Sequence, residues 1–150
     1  MAEILNRSAT EFAAGRSVDF DTQGHLSMLV VEMPATWTAG ASDTVATGLV
    51  LPKGTRLLSD VTVANGTGTA SQTLTVGIRD NRTKVAVDAS AIVAAAAITT
   101  AGVAQVNTGT KLTAGQRYVL TADCEVYMTF SAHTPTANQA IRVEIPYMAP

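Results

Sequence analysis

The 150-residue sequence predicts an all-β protein: an antiparallel β-sandwich or jelly-roll-like single domain over residues 25–150, preceded by an extended N-terminal arm over residues 1–24. Three observations carry this. Short segments alternate apolar and polar residues with the period of two of a half-buried strand, most clearly Leu74, Val76 and Ile78 against Thr73, Thr75 and Gly77. Turn chemistry separates them, as in Asn65-Gly66-Thr67-Gly68, where Asn and Gly tolerate positive φ. No helix-rich crossover alternates with the strands, which argues against a parallel sheet and for a sandwich or jelly roll.

The elements follow in order. Residues 1–24 are polar and irregular, with isolated apolar residues that do not recur at helical spacing, so they read as an arm. Leu26–Met33 is a strand that stops before Pro34, because the residue preceding proline is restricted. Trp37 follows in a Thr/Ala/Gly loop, where it either staples that loop to the core or offers a ligand platform. Thr44–Leu51 is a second strand, turned by Pro52-Lys53-Gly54. Arg56–Ala64 alternates, with an irregularity near Ser59-Asp60. Gln72–Asp80 and Lys84–Asp88 flank the turn Arg79-Asp80-Asn81-Arg82. Ala89–Thr100 is ambiguous: alanine favours helix, whereas Ile92, Val93, Ile98 and the threonines favour strand. The expectation is a short helix or an irregular crossover. Val103–Val106, Gln116–Asp123, Glu125–Ala132 and Ala140–Tyr147 complete the strands.

Composition narrows the function. The chain is 47% hydrophobic but only 5% aromatic and 15% charged, against about 25% charged in an ordinary soluble domain. A surface this poor in charge suits contact with other protein. The net charge is −2 and the ten Lys and Arg are scattered, so capture of nucleic acid by phosphate neutralisation is excluded as the main activity. The N-terminus lacks the pattern of a signal peptide, and the most apolar run, Ala91–Ile98, is far short of the ~20 residues of a membrane span. A soluble protein made in a cytoplasm, with no membrane partner, is expected.

Catalytic and cofactor chemistry finds no foothold, so no enzyme, cofactor or metal is expected. Pro52-Lys53-Gly54-Thr55-Arg56 has one glycine, and alternation rather than a helix follows it, so no backbone cradle for phosphate forms. His25 and His133 lack metal-ligand spacing, and Asp19, Asp21 and Asp43 do not make a calcium loop. No G-x-S-x-G motif is present. Asp60, Asp80 and Asp123 are the carboxylates a fold could bring together for glycoside cleavage. The single cysteine, Cys124, lies in a strand-like run and reads as a small packed residue.

The segments LVLPKGTRLLSDVTVAN, QTLTVGIRD, LTAGQRYVLTA, VYMTFSA and ANQAIRVEIPY together resemble the decoration, or cement, proteins of tailed-bacteriophage heads. Those often carry an "lpkG" turn, a "tltvGi.d" strand, a "ytlta" strand and a closing "v.v.Y" strand. The resemblance covers about two thirds of the chain and excludes the arm and the Ala-rich stretch. It implies a β-sandwich or jelly roll that forms a homotrimer on the outer surface of the virion and clamps the major capsid protein, without catalysis or cofactor. Ile4, Leu5 and Phe12 of the arm are the candidate capsid anchors, and Ile92, Val93 and Ile98 the candidate subunit contact, where small neighbouring residues allow close approach. Other classes remain open: a tail-fibre, baseplate or head-fibre component that binds a host-surface ligand, or a carbohydrate-binding module. Both would call for a loop-borne aromatic patch.

Overall fold

The computed structural model describes residues 26–41, 43–113, 118–131 and 133–150. The arm, with Ile4, Leu5 and Phe12, lies outside the described residues. Nine strands and no helix occur within them: β1 (Leu26–Glu32), β2 (Thr44–Leu51), β3 (Arg56–Leu57), β4 (Thr62–Asn65), β5 (Thr73–Asp80), β6 (Ala86–Ala97), β7 (Gly102–Gln105), β8 (Cys124–Ser131) and β9 (Ile141–Met148). They form two antiparallel sheets, one in the order β1-β9-β4-β7 with β3 also on β9, the other in the order β2-β8-β5-β6.

β3 and β4 lie on the same edge of β9, Arg56 opposite Met148 and Thr62 opposite Glu144. They are two halves of one bent strand, broken where Asp60 takes φ +79°. The predicted irregularity at Ser59-Asp60 is this break. Counted so, eight strands remain, and each sheet interleaves strands from both halves of the chain, as in a jelly roll built from two Greek keys.

The core is the layer between the sheets. Val31, Val63, Val143 and Ile145 enter it from one side, and Leu74, Val76, Ile78, Val126, Met128 and Phe130 from the other. On β5 the alternation that predicted the strand also selects these side chains, since Leu74, Val76 and Ile78 have no exposed surface.

Two expectations are corrected. Ala89–Thr100 is neither helix nor crossover: most of it belongs to β6, the longest strand, which also absorbs the strand expected at Lys84–Asp88. The helix preference of alanine loses to pairing with β5 and to burial of Ala91, Ile92 and Val93, a tertiary gain that outweighs a few tenths of a kcal/mol per residue. The described part of Gln116–Asp123 is not a continuous strand either: residues 118–120 lie along residues 54–57 through a bridge from Val119 to Arg56 and the backbone bonds Leu57 N–H to Tyr118, Leu120 N–H to Thr55 and Gly54 N–H to Leu120, and residues 121–123 form no strand.

β6 is heavily bulged. Val76 faces Val93 while Ile78 faces Asp88, so three residues of β5 span six of β6. The extra backbone crosses over Gly77, whose missing side chain leaves room for it: a Cβ there would overlap the Ala89 carbonyl. Gly77→Ala is therefore expected to lower stability by about 1–3 kcal/mol through forced backbone displacement, read as a drop in the urea midpoint. Beyond β6 the chain returns along its outer edge. Thr110 N–H donates to the Ser90 carbonyl (2.9 Å), Lys111 N–H to the Ala91 carbonyl (3.1 Å), and the Thr108 hydroxyl bonds the backbone of Ala94. This segment satisfies edge groups that would otherwise template another strand.

Candidate assembly surfaces

One end of the sandwich is a cluster of loops poor in charge, with Asp43, which accepts from Gly40 N–H, as its nearby carboxylate. Residues 34–41, 66–72, 98–101 and 133–140 carry no Lys, Arg, Asp or Glu. Trp37 resolves to the staple of this end: it is buried, stacks on Phe130 with ring centroids 5.3 Å apart, and donates from Nε1 to the Gln139 carbonyl at 2.8 Å. Its backbone N–H donates to Asn138 Oδ1 at 2.8 Å. The buried Gln139 then donates from Nε2 to the carbonyls of Ile98 (2.7 Å) and Gly66 (2.8 Å), tying three loops together. Thr69 adds a second link between residues 66–72 and 133–140, through the Thr136 hydroxyl (3.0 Å) and the Thr134 carbonyl (3.2 Å).

The opposite end is charged. Lys53 N–H donates to Asp123 Oδ1 at 2.8 Å, so the turn at Pro52-Lys53-Gly54 is pinned by a carboxylate. Asp80 caps its own turn, accepting from the N–H groups of Arg82 and Thr83 and from the Thr83 hydroxyl. Those bonds, the Thr83 N–H foremost, hold the Asp80 carboxyl below the ordinary carboxylate range. Beside it, Glu125 has 3% of its side chain exposed and accepts at Oε2 from Arg79 Nε (2.9 Å) and Lys84 Nζ (2.8 Å), and at Oε1 from Gly48 N–H (3.2 Å). The hydrogen bond from Arg79, then that from Lys84, lowers its pKa to about 2. Arg79 also lies 5.2 Å over the Tyr127 ring. One carboxylate thus joins the bulge of β2, β5, β8 and the turn after β5.

The third surface is the open side of the sandwich, where β1 and β2 are the sheet edges. β1 pairs with β9 over all seven residues without a bulge, and its other edge meets no described strand. On its outer face Leu26, Met28 and Val30 are 73%, 53% and 38% exposed. Between the two edge strands runs a cleft lined by Val30, Val31, Met33, Val45, Leu49 and Met128. Leu29, Val45 and Leu49 reach the core but stay only partly buried.

The residues singled out from sequence separate. Ile92, Val93 and Ile98 are fully buried inside the subunit, so they cannot form a contact between copies. The exposed positions of that stretch are Ala95 and Ala97. Asp60 lies in the link between β3 and β4, where Gln105 Nε2 reaches it at 3.3 Å, apart from Asp80 and Asp123 in the other sheet. Cys124 is buried, and burial, reinforced by Asp80 and then Asp123, pushes its thiol pKa up, the reverse of an activated nucleophile. Among the described residues no three His, Cys, Asp or Glu side chains group as metal ligands. The Glu125 cluster had no sequence signal, because its cations lie 41 and 46 residues away. The exposed row on β1 had one: Leu26, Met28 and Val30 are as apolar as the alternate positions that face inward.

These features define a jelly roll with one closed edge, one open side and ends of contrasting charge. A chain in the capsid of Ralstonia phage GP4 shares the fold with a TM-score of 0.64 at 17% identity, over 87% of this chain and 88% of that one. A chain in the capsid asymmetric unit of cyanophage Pam1 matches with a TM-score of 0.50 at 20% identity, over 85% of this chain and 86% of that one. No protein-family model matches the sequence, and no curated protein does. The fold of this chain is thus one found in phage capsids.

Proposed function

We propose that this protein is a non-enzymatic structural component of a phage virion, a decoration protein that binds the assembled capsid from outside as a homotrimer and stabilises it. The observation that carries the reading is the match of nearly the whole chain to chains from two phage capsids. The partner is the major capsid protein. The charge-poor loop end suits such a contact, because interface cores are depleted in charge and the loops are already fixed by Trp37 and Gln139, so little ordering entropy is lost on binding. The arm supplies further anchors at Ile4, Leu5 and Phe12. A protein that binds only the assembled shell stabilises it by linkage, multiplied over many sites.

The test is to titrate purified protein onto expanded capsids that lack it. Saturation at a fixed ratio to capsid subunits, with a raised capsid melting temperature, is expected. Absence of saturable binding overturns the proposal, and a monomer in sedimentation equilibrium at micromolar concentration overturns the trimer.

A further inference from the structure

We propose that the sandwich binds internal water at its charge-poor end, held between the side-chain amides of Gln72 and Gln139. This rests on the fold and is independent of the capsid reading. Both residues extend inward-facing rows of the core. Gln72 stands two residues before Leu74, on the row that continues through Val76 and Ile78. Gln139 stands two residues before Ile141, on the row that continues through Val143 and Ile145. The first row belongs to one sheet and the second to the other. Both glutamines share the burial of their rows, with 0% and 4% of their surface exposed. The apolar layer between the sheets thus ends here in two polar groups rather than in two more aliphatic ones.

Ile98 brings the two together. Its N–H donates to the Gln72 carbonyl (3.2 Å), and its own carbonyl accepts from Gln139 Nε2 (2.7 Å). Gly68 makes room for this approach: a Cβ there would stand 2.5 Å from the Ile98 carbonyl oxygen and 2.6 Å from Gln139 Nε2. The Gln139 amide is fixed in orientation, because Nε2 already serves the carbonyls of Ile98 and Gly66, and turning it over would set oxygen against oxygen. Its Oε1 then has no partner among the described residues, and neither do Nε2 and Oε1 of Gln72. Buried polar atoms left unbonded are costly, and protein interiors meet the need with water bonded to several such groups. Water fits the chemistry of this pair. It accepts from Gln72 Nε2 and donates to Gln139 Oε1 from one position, and a second water serves Gln72 Oε1. A cation cannot accept the Gln72 N–H, and residues 66–72, 98–101 and 133–140 hold no carboxylate to balance its charge. The result is a wet joint between the two sheets, continuous with the Trp37 bond to the Gln139 carbonyl.

The test uses the full-length chain. A high-resolution crystal structure is expected to hold a water within about 2.7–3.2 Å of both Gln72 Nε2 and Gln139 Oε1. In solution, Gln72→Met, a change to an apolar side chain of similar size, is expected to lower the urea midpoint. It removes the donor that holds the water and strands Gln139 Oε1. If the Gln72 amide were simply unbonded, the same substitution would remove a buried polar group and raise the midpoint. A direct bond between the two amides, a site without water in the crystal, or a midpoint unchanged or raised in the methionine variant overturns the proposal.

Discussion

Trp37→Ala is expected to lower the stability of the fold by about 3–5 kcal/mol, the range for truncating a buried aromatic, and the melting temperature by on the order of 10 °C. The side chain sits at the junction of loops and core, stacked on Phe130 and bonded to the Gln139 carbonyl. Its removal takes away packed area and leaves that carbonyl without its donor. Trp37→Phe separates the two effects: it keeps the stack and loses the bond, at about 1–3 kcal/mol for a buried acceptor left unpaired. Equilibrium urea unfolding of the three proteins gives both differences. A loss below about 1 kcal/mol for the alanine variant would mean that the loop end holds together without its staple.

Glu125→Gln is expected to cost about 3 kcal/mol at neutral pH, the low end of the range for breaking a buried ion pair, because Lys84 remains about half in water while Arg79 does not. The substitution should also change how stability depends on pH. Glu125 titrates at about 2 in the fold, below its ordinary value of 4.5. Its contribution is therefore complete above pH 4.5 and disappears as the pH falls through about 2. Asp80 and Asp88, also held below the ordinary carboxylate range, act in the same direction. At Asp88, burial works against ionisation, and the Thr110 hydroxyl, Ser90 and Lys111 overcome it. Urea midpoints measured from pH 7 to pH 2 should fall steeply for the native sequence below pH 4.5 and less steeply for the glutamine variant. Parallel curves would mean that the Glu125 carboxylate does not couple to folding.

The strands that sequence predicted best are those with one buried and one solvated face. The boundaries expected for Thr44–Leu51 coincide with β2, and the break foreseen at Ser59-Asp60 is where Asp60 takes positive φ. β6 escaped because its signal is not local. A run of alanines carries no period, and what makes it a strand is β5 on one side and residues 108–111 on the other. The same limit hid the assembly surfaces. The pairing of Arg79 and Lys84 with Glu125 depends on sheet register, and the junction of Trp37, Asn138 and Gln139 spans about a hundred residues of sequence. Ile92 and Val93 were apolar for the ordinary reason, burial in the chain's own core.

The contrast between the two ends of the sandwich also governs how this molecule responds to ionic strength. Screening at physiological salt acts over about 8 Å and weakens contacts made by charges. An end built mainly of Thr, Ala, Gly and Asn, with Asp43 as its nearby carboxylate, has little to screen, so a contact made there loses less of its strength between dilute buffer and molar salt. A contact made through Lys53, Arg82 and their neighbours would loosen over the same range. The salt dependence of attachment therefore reports which end faces the partner, and a molecule attached by its charge-poor end would keep its grip where a charge-mediated clamp lets go.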